Sequence, residues 1–266
     1  MNASKSSYDL ARLRDGIAPF RLHWFSRLRS TNDHAAVLRR KGRLYAPAAV
    51  LTGCQTAGRG RGSNTWWSNT GALTVTFAVP MRDRVPPQEL PLIAGLAVRA
   101  AAVQLTGERD IQLKWPNDVL HDGQKLAGLL CERISNVDLI GIGLNVNVDP
   151  AHAPKPLQRR ITSLLCIAGK SFDMTDVLIA LAAKLHREIR RRVELPFSDF
   201  VREYSNYDAL AGKTVTITSG PGEPAIVGRC EGVDSSGRLL VRQRGKLHTI
   251  VAGGVEITSG HLGGGT

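Results

Sequence analysis

The stretch that decides the fold is residues 111–130, which read IQLKWPNDVLHDGQKLAGLL. Apolar and polar residues alternate as far as Trp115, a pattern that predicts a half-buried strand. The proline that follows ends this strand, and Asp122-Gly123 is the dipeptide that two-residue hairpin turns prefer, because both positions take a positive φ. We therefore expect a strand, a hairpin turn and a returning strand that contains Lys125.

Helices and strands flank this stretch on both sides. Apolar residues at helical spacing predict helices at 31–41, 91–105, 174–193 and 197–207. Short runs rich in apolar and β-branched residues predict further strands at 20–26, 48–52, 73–79 and 139–146. The pattern indicates that helices and strands are mixed along most of the chain.

The character of the sequence changes after the last predicted helix. Strands become short between residues 213 and 258 and are separated by turn-forming residues, which suggests a small barrel. We divide the chain into an N-terminal arm (1–19), a large domain (20–208), a small C-terminal domain (209–259) and a glycine-rich tail (260–266). The arm is expected to be loosely held and the tail to be flexible.

The composition is that of a folded protein with a surplus of positive charge. Of the 266 residues, 42% are hydrophobic and 22% are charged, and the formal net charge is +12. This surplus suits an anionic partner but also serves solubility. No apolar run has the length of a signal peptide or a membrane span, and the four cysteines lack the spacing of a zinc site. We expect a cytoplasmic protein without a membrane partner.

The most strongly cationic motif is the run Gly58-Arg59-Gly60-Arg61-Gly62. Glycines let backbone amides approach an anion, and arginines supply planar donors that fit a carboxylate or a phosphate. Two interpretations stay open on these residues alone: a site for a small anion, or a basic RNA-binding module. The second would require aromatic stacking platforms, whereas aromatic residues make up only 5% of the chain.

Lys125 lies in a strand whose neighbouring residues are apolar on both faces. Strand alternation predicts that its side chain shares a face with Ala127 and Leu129. An unpaired ammonium group is costly to bury, so Lys125 needs a partner. That partner is either a carboxylate, such as Asp118, or a ligand.

Other polar groups also have two interpretations. Residues 114–118 form either a plain turn or a ligand site at the carboxyl end of a strand. Residues 30–32 either only cap a helix or also bind a ligand. Trp66 is either buried packing or a stacking surface, and Asn145 is a buried amide that demands partners.

Taken together, four motifs resemble one protein family. They are Gln55-Thr56-Ala57-Gly58-Arg59-Gly60-Arg61, Lys114-Trp115-Pro116-Asn117-Asp118, Lys125-Leu126-Ala127-Gly128 and Gly141-Ile142-Gly143-Leu144-Asn145-Val146-Asn147. Their order and spacing are similar to those of the biotin protein ligases, also called biotin–[acetyl-CoA carboxylase] ligases. The resemblance extends over residues 20–257, nearly the whole chain.

The resemblance implies an α+β fold with two parts. A mixed-sheet catalytic domain related to class II aminoacyl-tRNA synthetases and to the biotin and lipoate ligases would be followed by a small SH3-like β-barrel. It also implies a two-step ligase. The carboxylate of biotin attacks the α-phosphate of ATP and releases pyrophosphate, and a lysine of a biotin carboxyl carrier domain, from acetyl-CoA carboxylase or a related carboxylase, then takes the biotinyl group from biotinyl-5′-AMP. Mg²⁺ would accompany the ATP, with no dedicated protein ligands assigned.

The resemblance also implies roles for individual residues. The expected catalytic residues are Lys125, Arg61 and Asp118, with Asp118 next to the incoming lysine amine. The residues expected to bind biotin are Ser30, Thr31, Asn32, Gln55, Gly58, Arg59, Gly60, Arg61, Lys125 and Gly128. The residues expected to bind ATP and the adenylate are Arg59, Arg61, Trp66, Lys114, Asn117, Lys125 and Asn145. The cations among them would offset the repulsion between a carboxylate and a triphosphate.

The chain departs from the family pattern in two places. Many bacterial members have an arginine where this chain has Gly62, so we expect weaker retention of biotinyl-5′-AMP. Bifunctional members carry an N-terminal winged helix-turn-helix, and only a short arm precedes residue 20 here. We therefore expect a monofunctional ligase that is not a repressor, binds no DNA and is a monomer or a weak homodimer. The nearest alternative is a lipoate or octanoate ligase or transferase of the same superfamily.

Overall fold

A seven-stranded mixed sheet forms the centre of the larger domain. The computed structural model describes residues 8–81, 85–218 and 224–258. The strands that it describes before residue 208 are β1 (Arg21–Phe25), β2 (Ala48–Thr52), β3 (Gly58–Arg59), β4 (Thr65–Trp66), β5 (Ala72–Pro80), β6 (Ile111–Lys114), β7 (Asp118–His121), β8 (Gln124–Ile134) and β9 (Val137–Asn145). The sheet has the order β1-β2-β5-β9-β8-β7-β6, in which β1 and β2 are parallel and the other neighbours antiparallel. Strands β3 and β4 form a separate hairpin.

Helices cover both faces of this sheet. They are α1 (Leu10–Gly16), α2 (Thr31–Arg40), α3 (Leu90–Thr106), α4 (Leu164–Ala168), α5 (Met174–Glu194) and α6 (Phe197–Ser205), with short 3₁₀ turns at Pro87–Glu89 and Pro150–His152. Alternate residues of β2 define the two faces. Ala49 and Leu51 join the core that α3 and α5 cover, whereas Ala48 and Val50 join the core beneath α2.

Local signals set the ends of several elements, as the sequence predicts. Ser30 caps α2, because its hydroxyl accepts a hydrogen bond from the backbone N–H of Asp33. Helix α3 ends at Gly107, whose φ of 78° is left-handed. Asp122 and Gly123 have φ values of 50° and 71°, so the hairpin turn expected between β7 and β8 is confirmed.

Five antiparallel strands form the C-terminal sheet. They are β10 (Thr214–Thr218), β11 (Ile226–Val233), β12 (Leu239–Gln243), β13 (Lys246–Ile250) and β14 (Gly254–Ile257), in the order β13-β12-β11-β10-β14. Val215, Ile217, Leu239 and Val241 are fully buried and belong to the same hydrophobic cluster as the large sheet. The predicted α+β fold class is confirmed.

The two domains are joined at the end of β6. The indole Nε1 of Trp115 donates to the carbonyl of Gly237 at 3.0 Å, and the residue is 2% exposed. Next to it, Leu113 N donates to Tyr207 O and Ala209 N donates to Leu113 O, both at 2.8 Å. The boundary predicted after residue 208 therefore falls in a segment that is hydrogen-bonded to the edge of the large sheet, and its position stays a prediction.

The N-terminal segment is tightly packed from residue 8 onward. Asp9 caps α1, and both Leu13 and Ile17 are fully buried. Helix α1 packs against α5 and β1. The prediction of a loosely held arm was wrong for residues 8–17, because Leu13 and Ile17 are spaced to bury one side of a short helix. The tail predicted at 260–266 lies outside the described residues.

Helix α3 and the turn before it are more apolar than the sequence analysis allowed. Within the 20 residues Pro87–Thr106, an 18-residue window has a mean hydropathy of 1.3, so by length and composition alone the segment passes as a membrane span. In the fold, 61% of this window is buried inside the protein, where α3 packs between the sheet and α5. The segment is a core helix, and burial in the protein explains its composition.

Candidate active site

A row of residues with small side chains crosses the sheet on the face that α2 covers. Thr74 of β5 pairs with Gly143 of β9, Gly143 pairs with Gly128 of β8, and Gly128 pairs with Asp118 of β7. Directly paired residues of neighbouring strands lie on the same face, so the four form one continuous row. The two glycines leave a trough whose floor is backbone.

The hairpin β3–β4 lays the indole of Trp66 across this floor. A Cβ added at Gly143 would lie 2.6 Å from Trp66 Cζ2, and one added at Gly128 would lie 3.2 Å from Cζ3. The indole Nε1 is buried and has no hydrogen-bond partner within the described part of the chain. This N–H is therefore available to donate to a ligand that offers an acceptor in the trough.

A cation and a carboxylate stand at one end of the trough. Lys125 Nζ lies 2.6 Å from Asp118 Oδ1 and 5.7 Å from the centre of the Trp66 ring. The sequence analysis left a carboxylate or a ligand as the partner of Lys125. In this conformation the partner is the carboxylate of Asp118.

A β-bulge brings Lys125 to this face. Val119 pairs with Ala127, whereas Leu120 pairs with Lys125, so β8 contains one extra residue at this point. The extra residue reverses the alternation, and a Cβ added at Gly128 would lie 3.1 Å from Lys125 Nζ. The prediction that Lys125 shares a face with Ala127 was wrong for this reason.

Two further cations stand around Asp118. Lys114 pairs with Asp118 in register across β6 and β7. Burial lowers the pKa of Lys114, and the neighbouring charge of Lys125 also lowers it, while Asp118 acts in the opposite direction. Burial also lowers the pKa of Arg61, against the attraction of Asp118, and Arg61 Nη1 donates to the Gly253 carbonyl of the C-terminal domain at 3.4 Å. Three cations around one carboxylate suit an anionic ligand.

The other end of the trough is a buried polar cluster. Ser30, Thr31 and Asn32 are all buried at the start of α2. Gln55 Oε1 accepts from the backbone N–H of Thr31 at 2.9 Å. The hydroxyl of Thr76, on β5, lies 2.8 Å from Thr31 Oγ1 and 2.6 Å from Asn32 Oδ1. The structure thus brings four predicted biotin-binding residues together, and it adds Thr76.

Arg59 points to the rim of this polar cluster. Its guanidinium contacts the carboxylate of Asp33, and its Nη2 lies 2.9 Å from Glu132 Oε1. Glu132 Oε2 accepts from Asn32 Nδ2, also at 2.9 Å. Protein carboxylates therefore hold the Arg59 side chain in this conformation, and contact between this side chain and biotin or ATP stays a prediction.

The glycines of the cationic run allow the backbone geometry of the β3–β4 hairpin. A Cβ added at Gly58 would collide with the backbone carbonyl oxygen of Trp66 in the paired strand, so only glycine fits there. Gly60 N donates to Asn64 O at 2.8 Å, which closes the turn between β3 and β4. Gly62 has a φ of 59°, a left-handed conformation that glycine adopts without strain.

Two predicted ATP-binding amides are hydrogen-bonded to the backbone. Asn117 Nδ2 donates to the Leu129 carbonyl at 2.7 Å. Asn145 is 2% exposed, and its Nδ2 donates to the carbonyls of Lys125 and Thr162 at 3.3 and 3.0 Å. These bonds hold β8 in place beside the trough, and contact of either amide with ATP stays a prediction.

Sequence reasoning missed Thr76 and Glu132. Both occupy strand positions that face the trough, beside residues that were predicted as site residues. Thr74 and Thr76 alternate with apolar residues in a strand that is otherwise apolar, and this alternation was a usable signal. Glu132 gave no comparable signal, because its partners lie on α2 and β3.

Comparisons with known proteins agree with this geometry. Residues 24–149 match the Biotin/lipoate A/B protein ligase family, and residues 211–257 match the Biotin protein ligase C terminal domain. The biotin–[acetyl-CoA-carboxylase] ligase of Mycobacterium tuberculosis is 33% identical over 235 residues, which cover 85% of each chain. The chain belongs to the biotin protein ligase family.

Other biotin protein ligases are similar in structure and in sequence. The chain superposes on the biotin protein ligase of Aquifex aeolicus in complex with biotin and ATP with a TM-score of 0.80 and 27% identity, over 89% of this chain and 99% of that one. The bifunctional ligase/repressor BirA of Bacillus subtilis is 30% identical over 78% of this chain, but the match spans only 65% of that protein's length.

Proposed function

We propose that this protein attaches biotin to a lysine of a biotin carboxyl carrier domain, from acetyl-CoA carboxylase or a related carboxylase, by way of biotinyl-5′-AMP. The observation that carries the proposal is the trough with two unlike ends. Thr31, Asn32 and Gln55 present hydrogen-bonding groups at one end, and Lys125 presents a cation at the other. Biotin has matching ends, a ureido ring that both donates and accepts hydrogen bonds and a carboxylate.

In the first step, a carboxylate oxygen of biotin attacks the α-phosphorus of ATP. The bond from this phosphorus to the bridging oxygen of the β-phosphate breaks, and pyrophosphate leaves. Lys125, Lys114 and Arg61 would hold the two repelling anions together and stabilise the charge that develops between them. Trp66 and Asn145 would contact the adenine.

In the second step, the amine of the carrier lysine attacks the acyl carbon of biotinyl-5′-AMP. An amide bond forms and AMP leaves. Asp118 would orient this amine or take its proton, because Asp118 is the carboxylate beside Lys125 at the reacting end of the trough.

ATP is expected to bind with Mg²⁺. Within residues 8–81, 85–218 and 224–258, no group of three or more His, Cys, Asp or Glu side chains is placed to hold a metal ion. The described side chains thus offer no dedicated metal site, and the phosphates of ATP and water would supply most of the ligands of the ion.

The test is incubation of the purified protein with ATP, Mg²⁺ and labelled biotin, with and without a carrier domain. Without the carrier domain, we expect pyrophosphate release from ATP in the presence of biotin. With the carrier domain added, we expect transfer of the label to it. Turnover with lipoate or octanoate but not with biotin would contradict the proposal. An apolar acyl chain would make no use of the polar groups of Thr31, Asn32 and Gln55, which suit a ligand that donates and accepts hydrogen bonds, and this disfavours that alternative.

Asp118→Asn tests the assignment of the second step. Transfer of label from preformed biotinyl-5′-AMP should slow by about 100-fold, a typical contribution of a positioned acid or base, whereas pyrophosphate release should slow less. Equal loss in both steps would refute this role for Asp118. The cytoplasmic location, the oligomeric state and the lack of DNA binding stay predictions.

A further inference from the structure

Arg59 joins three elements at the rim of the polar cluster. It belongs to β3, it contacts Asp33 of α2, and its Nη2 lies 2.9 Å from Glu132 Oε1 of β8. We call Asp33, Arg59 and Glu132 the Arg59 clamp. Because Arg59 pairs with Thr65 and Gly58 with Trp66, the clamp acts on the hairpin that carries the indole over the trough.

The charges of the clamp argue against Arg59 as the cation that receives the ligand. The hydrogen bonds that the Arg59 guanidinium donates to Asp33 and Glu132 hold its pKa above the ordinary value. Two carboxylates around one guanidinium leave a net negative charge, so this rim offers little attraction to an incoming carboxylate or phosphate. Lys125, Lys114 and Arg61 stand at the other end of the trough.

Glu132 has a second contact, which links the clamp to the polar cluster. Its Oε2 accepts from Asn32 Nδ2 at 2.9 Å, while its Oε1 pairs with Arg59. Asn32 Oδ1 in turn accepts from the Thr76 hydroxyl. Glu132 therefore contacts both the hairpin and a residue expected to bind biotin.

We propose that the Arg59 clamp holds the β3–β4 hairpin over the trough before any ligand binds, and that Glu132 is a positioning residue that also orients Asn32. A hairpin that is already ordered loses less conformational entropy when a ligand binds beneath it. The effect on biotin binding rests on the proposed function, whereas the effect on the ligand-free hairpin does not.

The first experiment measures the hairpin in the ligand-free protein. Asp33→Asn and Glu132→Gln each remove one charge that pairs with Arg59 and keep the side-chain shape. Amide hydrogen exchange of residues 58–66 is expected to become about twofold to fivefold faster in each variant, as loss of a partly exposed ion pair implies. High ionic strength should speed the exchange of the wild-type hairpin more than that of the variants. Glu194→Gln, which removes an exposed ion pair on α5, is the matched control.

The second experiment separates the clamp from the positioning of Asn32. In Glu132→Gln the new amide oxygen still accepts from Asn32, whereas Glu132→Leu removes that acceptor. Both variants should show the same fast exchange of the hairpin. The KM for biotin should rise about twofold to fivefold in Glu132→Gln and further in Glu132→Leu, with a smaller change in kcat.

The outcomes distinguish this proposal from the proposed function. Unchanged hairpin exchange in Asp33→Asn and Glu132→Gln would overturn the clamp, even if the protein turns over biotin normally. Equal KM values for Glu132→Gln and Glu132→Leu would overturn the positioning role of Glu132. Faster exchange in a protein that does not use biotin would support the clamp and refute the proposed function instead.

Discussion

Lys125 Nζ lies 2.6 Å from Asp118 Oδ1, at the point where β7 and β8 pair through a β-bulge. The Lys125 side chain is 33% exposed and that of Asp118 is 23% exposed, so water screens the pair in part. Such a pair contributes little to folding stability, and an anionic ligand can compete with Asp118 for the ammonium group. Lys125 can therefore pair with Asp118 when no ligand is bound and with an anionic ligand when one is present.

Lys125→Gln is expected to slow adenylate formation by at least about 100-fold, because it removes a fixed positive charge where negative charge develops. The measurement is pyrophosphate release at saturating biotin and ATP. Lys41→Gln, at an exposed position after α2, is the control and should keep the wild-type rate. A loss of less than about tenfold in Lys125→Gln would contradict the assigned role.

Gly143→Ala should destabilise the protein and disturb the trough. Its Cβ would lie 2.6 Å from Trp66 Cζ2, so the indole must move, and overpacking of this kind costs about 1–3 kcal/mol in the free energy of unfolding. Urea unfolding measures the loss. Gly95→Ala is the matched control, because a Cβ there meets only Leu113 Cδ2 at 3.5 Å. Adding Trp66→Ala to Gly143→Ala should remove most of the strain, and simple additivity of the two changes would speak against the contact.

Gly62→Arg tests whether the missing arginine weakens retention of biotinyl-5′-AMP. The added cation should slow release of the intermediate by about fivefold, the effect of one partly exposed charge pair. Gly62 has a φ of 59°, so any other residue also introduces backbone strain of about 1 kcal/mol. Gly62→Ala carries the same strain without the charge. Release from Gly62→Arg that is no slower than from Gly62→Ala would count against the prediction.

Asp208→Asn should stabilise the protein at neutral pH. Burial raises the pKa of Asp208, and its Oδ2 is buried without a hydrogen-bond partner among the described residues. The folded protein therefore binds this proton more tightly than the unfolded chain, whose Asp has a pKa of about 3.9. Stability consequently falls as pH rises from about 3.9 through the folded-state pKa, and it stays lower above that value.

The measurement for Asp208→Asn is Tm as a function of pH. The variant keeps an acceptor for the backbone N–H of Leu210 and removes the ionisation. Its Tm should exceed that of the wild type by about 2–4 °C at pH 7, the shift that ~1 kcal/mol produces in a chain of this size. This difference should vanish below about pH 4, where both proteins are uncharged at this position. Equal Tm values at pH 7 would show that burial of the ionised Asp208 carboxylate does not lower the stability of the folded protein.

Several elements were predictable because their signals are local. Helix α5 was predicted from apolar residues at helical spacing, and β2 was predicted with its observed ends, 48–52. The turn at Asp122 and Gly123 follows from the φ preferences of those two residues. The short helix α1 was missed, since its apolar residues are too few to form a clear pattern before α5 and β1 cover them.

The sequence by itself determined which elements form and which residue types can meet an anion, because both depend on residues that are close in the chain. Only the tertiary structure decided which face Lys125 uses, since a single extra residue in β8 reverses the strand alternation. It also decided that Arg59 meets Asp33 and Glu132, which are 26 and 73 residues away. Such contacts depend on strand register and on the packing of α2, and the local propensities of the sequence carry no information on either.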